Sequence, residues 1–205
     1  MAVINQVDYE AIPGVARQMR TLGQELNNEL TTAYAKVSEM HNYWYGNRYN
    51  ELVKGFNGMI PGLNELLGLV VREIPYALET IANNYGKADK GVNITSASMI
   101  EPKKIAELAV PSDVGMKFLS NEVGNIKNGI TTNFNKTKEK MNALETTFNK
   151  ITWQSESATT FKAKFKSLKN DIINALDEVE TSFNKLMTQA INDMQAIEKA
   201  NNING

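Results

Sequence analysis

The chain has 205 residues, with 22 Lys and Arg against 23 Asp and Glu, one histidine and no cysteine. The balance stays near zero along its length, so no net field draws it to a polyanion, and nucleic acid is not an expected partner. Disulfide scaffolds, thiol nucleophiles and thiolate metal centres are excluded, and His41 alone, without a nucleophile-elbow motif, makes a poor hydrolase triad.

The first residues, Met1 to Glu10, carry neither the basic nor the apolar stretch of a secretory signal, and Asp8 and Glu10 interrupt the place where the apolar stretch would run. Apolar residues then recur at steps of three and four through Val15, Met19, Leu22, Leu26, Leu30, Ala33, Val37, Met40 and Trp44. That spacing lines one face of a helix over roughly residues 9 to 42.

A second stripe runs through Leu52, Phe56, Ile60, Leu63, Leu67, Val70, Ile74, Leu78, Ile81 and Tyr85. It is punctuated by Gly55, Gly58, Gly62, Gly68, Pro61 and Pro75, and an interior proline deletes a backbone donor and crowds the preceding turn, so a kink or short break is expected. The same punctuation admits a plastic segment able to meet a membrane. Met59 to Val71, the most apolar run, is interrupted by Pro61, Asn64 and Glu65 and is too short to span one.

Residues 90 to 112 lose the stripe, contain Gly91, Ser96, Ser98, Pro102 and Pro111, and read as a linker with a short helix at Lys103 to Ala109. A third stripe follows through Leu119, Val123, Ile126, Ile130, Phe134, Met141, Leu144, Phe148 and Ile151. The fourth runs from Ala158 through Phe161, Phe165, Leu168, Ile172, Leu176, Val179, Phe183, Leu186, Ala190 and Met194 to Ile197. Lys136, Lys138, Lys140, Lys162, Lys164, Lys166 and Lys169 read as a solvated face, since the aromatic and aliphatic residues among them belong to the stripes.

The expected fold is therefore all-α: a hairpin over 1–89 turning near 43–47, a linker over 90–112, and a second hairpin over 113–205 turning near 152–156. Each hairpin leaves apolar surface that the other can cover, which gives a four-helix bundle. Each turn holds one of the only two tryptophans, as Trp44-Tyr45-Gly46 and Trp153-Gln154-Ser155. Gly46 tolerates a positive φ, while Ser155 caps the first amides of the next helix and Glu156 complements its dipole. His41, beside Tyr43, Trp44 and Tyr45, reads as a partly exposed turn residue, and no residue is assigned to catalysis, a cofactor or a metal.

These features resemble the WxG family, the early-secreted-antigen-like substrates of bacterial type VII secretion, here as two hairpins in tandem. The first half carries the closer likeness, since Tyr85 and Asp89 match the family's Tyr-x-x-x-Asp/Glu export signal. The second half has Ser155 in place of glycine and no tyrosine near its end. The resemblance implies a non-enzymatic, virulence-associated protein, exported folded without a cleavable signal peptide after a cytoplasmic pool. Its partners would be the system's membrane ATPase and a second copy or another WxG or toxin protein.

The family's antiparallel arrangement would bring Trp153 and Ser155 to Tyr85 and Asp89, and would leave Trp44 near the end of the fourth helix. The 22 residues from Lys90 to Pro111 reach about 70 Å when extended, enough for the helix length of about 50 Å they must cover. A parallel order and a domain-swapped dimer remain open at this point, as do a membrane-active protein and a cytosolic chaperone or adaptor for a larger toxin.

Overall fold

The computed structural model describes residues 8–151 and 156–201. They are mostly helical, with almost no strand, as expected of an all-α chain. Helix α1 spans Ile12–Met40 and α2 Asn47–Leu67; a π-helical segment, Gly68–Glu73, joins α2 to α3, Ile74–Lys90. After a long extended strap come α4, Ser120–Asn149, and α5, Glu156–Asn201. The strands are two-residue pieces, β1 at Trp44–Tyr45 and β2 at Lys117–Phe118.

The central seam of buried positions on α1 runs Ile12, Ala16, Met19, Gly23, Leu26, Leu30, Ala33, Val37 and Met40, in alternating steps of four and three, with Pro13, Arg20, Asn27 and Tyr34 buried along its side at heptad spacing. A 3.5-residue period keeps one seam facing a partner lying nearly along the helix. The seam differs from the predicted stripe at two places: Ala16 and Gly23 are buried, and Val15 and Leu22 are only partly so. Small residues win there because the neighbours come close; a Cβ on Gly23 would crowd Val71 and Val70. On α5 the same alternation runs Ile172, Leu176, Val179, Phe183, Leu186, Ala190.

Helix α4 lies chiefly along α1, and α5 along α2. Asn133 bonds Glu29, and Lys140 pairs with Glu25, so α4 runs antiparallel to α1. Arg48 pairs with Asp193 while Lys164 reaches Glu65, so α5 runs antiparallel to α2. The chain thus goes up along α1, down along α2 and α3, down again along α4 and up along α5, and one core of buried side chains runs through both halves. Several of the lysines expected as a solvated face also pair across helices: Lys138 with Asp177, Lys169 with Glu145, Lys136 with Glu29, and Lys164 with Glu65 and Glu73, while Lys136, Lys164 and Lys166 stay exposed.

The expected break in the second helix is a wide π turn. It falls in the residues ahead of Pro75, whose ring would otherwise meet the carbonyl of Val71. Pro61 stays inside α2. The π turn inserts one residue into the helical repeat, and residues 66 through 71 are all buried there.

The strap corrects the predicted helix at Lys103 to Ala109, for this stretch is extended. Side chains on one face of α2 and α3 take the backbone groups that a helix would need for itself. Asn64 donates to the Ile105 carbonyl (3.1 Å) and accepts from its N–H (2.8 Å), and Asn57 does the same with Leu108 (2.9 and 2.8 Å). Asn50 donates to the Pro111 carbonyl at 3.2 Å. These asparagines stand seven residues apart on α2, about 10.5 Å along a helix, and their partners stand three apart on the strap, about 10 Å of extended chain. Across the π turn the spacing becomes eight, to Arg72, which grips Glu101, and then seven again, to Glu79, which accepts from the Ser98 N–H. The inserted residue therefore holds the same face toward the strap along the whole of α2 and α3.

Candidate functional site

The predicted site residues that the structure describes fall at opposite ends of the molecule. At one end α1 turns into α2 through Trp44-Tyr45-Gly46. Gly46 has φ +115° at the start of α2, and a Cβ there would lie 3.3 Å from both the Gly115 carbonyl and Met116. Positive φ and close approach both call for glycine at the third position of the Trp-x-Gly motif.

Trp44 is 1% exposed. Its ring meets Phe118 edge-on (5.3 Å), stacks on Phe183 of α5 (6.1 Å) and tilts against Tyr49 (5.9 Å). Trp44 and Tyr45 also pair with Phe118 and Lys117 across β1 and β2. The motif tryptophan is thus the joint where the first turn, the end of the strap and α5 meet. A cavity of about 510 Å³ opens beside it, lined in part by Arg48, Asn50, Asp113, Met116 and Asp193. Asp193 and Ala190 on its wall show that Trp44 lies toward the far end of α5.

His41, predicted as a turn residue, has a carboxylate partner that the sequence hides. Asp113 comes from the end of the strap to 2.6 Å from His41 Nε2, and the imidazole stacks on Tyr49. Tyr49 donates its hydroxyl to the Val37 carbonyl at 2.7 Å, and burial pushes its phenol up to about 12. Tyr34, which donates to the Phe56 carbonyl at 2.6 Å, is likewise raised by burial.

At the other end, Tyr85 and Asp89 occupy the last turns of α3, before Gly91 ends it in the left-handed conformation (φ +72°). One helical turn apart, they share a face. Both touch Tyr9: the Tyr9 ring lies parallel to that of Tyr85 with centroids 6.4 Å apart, and its hydroxyl donates to the Asp89 carboxylate. That bond, then desolvation, raises the Tyr9 phenol above its ordinary value. Lys90 pairs with Glu10 and stands over the Tyr9 ring. Asp89 is exposed and Tyr85 half-buried, so the pair presents a surface with Tyr9 as its third member. Sequence reasoning missed Tyr9 because it belongs to no stripe and its partners lie about 80 residues away.

Trp153 and Ser155 lie outside the described residues. The residues just before them, Lys150 and Ile151, line a small hollow with Asp8, Ala11, Ile12 and Val15, at the Tyr9 end of α1. Among the described residues no group of His, Cys, Asp and Glu is arranged to hold a metal, and no helix is long and apolar enough to cross a membrane. In comparison with known proteins, the chain matches no family model, no curated protein and no solved structure.

Proposed function

We propose that this chain is a non-enzymatic substrate or partner protein of a bacterial type VII secretion system. In this reading it is a tandem WxG-type protein whose two helical hairpins close into one four-helix bundle within a single chain. It leaves the cell folded, without a cleavable signal peptide, after recognition of Tyr85 and Asp89 by the system's membrane ATPase.

The observation that carries the reading is the conformation of the first turn. Gly46 adopts a positive φ against the backbone of Gly115 and Met116 while Trp44 is buried between the two halves. A Trp-x-Gly turn in a generic helical pair needs neither. Two further observations support it. The halves pack antiparallel, and Lys150 and Ile151 of the second turn sit by the helix start that carries Tyr9, Tyr85's stacking partner.

The test is export from the native bacterium of the wild type against Tyr85→Ala, Asp89→Asn and Trp153→Ala, with thermal melts of each. Export of the wild type, and retention of variants that melt like it, is the expected result. Normal export of folded Tyr85→Ala and Asp89→Asn overturns the signal, and no export of the wild type overturns the reading.

A further inference from the structure

The strap between the two hairpins is held in an unusual way for a linker. Most polar contacts on it go to its main chain; the side-chain contacts are Glu101 with Arg72, Asp113 with His41 and Lys117 with the Asn42 carbonyl. Asn83 accepts from the N–H groups of Ile94 and Thr95, Glu79 accepts from Ser98, and Arg20 donates to the Ser98 carbonyl. Asn27 donates to the Lys103 carbonyl, and Asn64, Asn57 and Asn50 follow as described above. An amide side chain that bonds both the N–H and the C=O of one residue reads an extended backbone and not the side chain upon it. The side chains that point inward are few: Ile105 is 5% exposed, and Leu108 and Ile94 pack against the core while remaining partly exposed.

The rest of the strap faces outward. Val92, Met99, Ile100, Val110 and Val114 are exposed, with Met116 and Leu119 just beyond its end, whereas the remainder of the described chain exposes one large hydrophobic residue, Ile197. A segment that buries so little apolar surface opens at low free-energy cost compared with the helices beneath it. It is also bounded by two glycines with positive φ, Gly91 and Gly115, where the chain can swing without strain.

We propose that the face of α1, α2 and α3 lined by Asn27, Asn50, Asn57, Asn64 and Asn83 is a peptide-binding groove. The strap occupies it in cis, and the extended segment of another protein takes the strap's place. The ligand is an unstructured stretch with aliphatic side chains three residues apart, as Ile105 and Leu108 are, and with a carboxylate four residues before the first of them, where Arg72 takes Glu101. The strap itself is the argument for that occupant, since it shows the backbone direction, the repeat and the side-chain spacing that the groove accepts. The inference does not rest on the secretion reading and survives its failure.

The test replaces residues 94–111 by a Gly/Ser segment of equal length and titrates the folded product with a fluorescent synthetic peptide of residues 93–112. Saturable binding is expected, weakened about 100-fold or more by Asn57→Leu with Asn64→Leu, which together remove four hydrogen bonds. It is also weakened when serine replaces Ile105 and Leu108 in the peptide, and unchanged when serine replaces Lys103, Lys104 and Glu107. The intact chain should bind the peptide about 100-fold more weakly or worse, because its own strap competes at an effective concentration of about a millimolar.

Should the Gly/Ser variant not fold, protease sites placed after Gly91 and after Pro111 let the strap be cut in the folded protein. Native mass spectrometry then reads whether the fragment leaves and returns. Four results overturn the proposal. The folded strapless chain ignores the peptide; binding is indifferent to Asn57 and Asn64; the helices unfold as the cut strap departs; or intact copies exchange straps as a dimer, which makes a second copy the occupant.

Discussion

Gly23 of α1 and Val71 of the π-helical segment approach so closely that a Cβ on Gly23 would stand 2.7 Å from Val71 Cγ2 and 3.1 Å from Val70 Cγ2. Gly58 and Gly62 of α2 are the contrasting case, with nothing within 4 Å of a Cβ at either. Alanine gains helix propensity at all three, about 0.5–1 kcal/mol each. Only Gly23 then meets overpacking, which costs about 1–3 kcal/mol. Gly23→Ala should lower Tm by about 2–6 °C, and Gly58→Ala and Gly62→Ala should each raise it by about 2–3 °C. Calorimetry of the three variants checks the sign at each site, and a stabilising Gly23→Ala would mean that α1 and the π segment lie further apart.

The paired bonds of Asn57 to Leu108 make the strap's local stability measurable. Asn57→Ala removes a donor and an acceptor that no neighbouring group replaces, at about 1 kcal/mol for each bond. The expected result is faster amide exchange at Leu108, by about tenfold or more, with little change in the slowest amides of α1. Slowed α1 amides in the wild type that quicken in step with Leu108 would show instead that strap and helices open together.

How much of this was legible in the sequence depends on the distance between partners. The 3–4 steps of α1, α4 and α5 were readable because each helix carries its own apolar record, and Trp44 with Gly46 marked the first turn. The shift from Val15 and Leu22 to Ala16 and Gly23 was not readable, because a small residue chosen for close approach leaves no hydropathy signal. Proline and glycine announced a break near Pro75 but not its form as a π turn. The stretch from Lys103 to Ala109 has helical propensity, and distant side chains overrode it. Its true signal lay elsewhere, in Asn50, Asn57 and Asn64 at heptad spacing on a helix face where asparagine is otherwise unfavourable. The contacts of Tyr9 with Asp89, His41 with Asp113 and Trp44 with Phe183 join residues far apart in the chain, so no local pattern encodes them.

The ion pair of Arg20 with Glu79 joins α1, α3 and the strap in one buried knot. Both side chains are at most 10% exposed, the second guanidinium contact is 2.8 Å, and the Ser98 carbonyl and N–H add one bond to each partner, while Arg20 Nε stays buried without an acceptor. Removing one partner strands the other charge away from water, at a cost of about 3–5 kcal/mol. Arg20→Met and Glu79→Met should each destabilise by that amount in urea unfolding. The double variant should recover much of the loss, since two apolar side chains leave no orphaned charge. Additive losses in the double variant would show that the pair contributes no coupling.

Alkaline pH should unfold the protein through its buried phenols. Tyr49 ionises near pH 10 in the unfolded chain and at about 12 in the folded one, where burial opposes the charge. A folded value raised above the unfolded value favours the native state fully below pH 10. That stability is lost as pH climbs from about 10 toward 12, because the unfolded chain sheds the proton first. Tyr34 is shifted in the same direction and steepens the fall. The urea midpoint should therefore decline over that window in the wild type, decline less in Tyr49→Phe, and stay flattest in Tyr34→Phe with Tyr49→Phe. At neutral pH Tyr49→Phe loses only the bond to Val37, about 1 kcal/mol. Equal slopes in all three proteins would place the alkaline transition on other groups, and tyrosinate absorbance recorded along the same titration distinguishes the two cases.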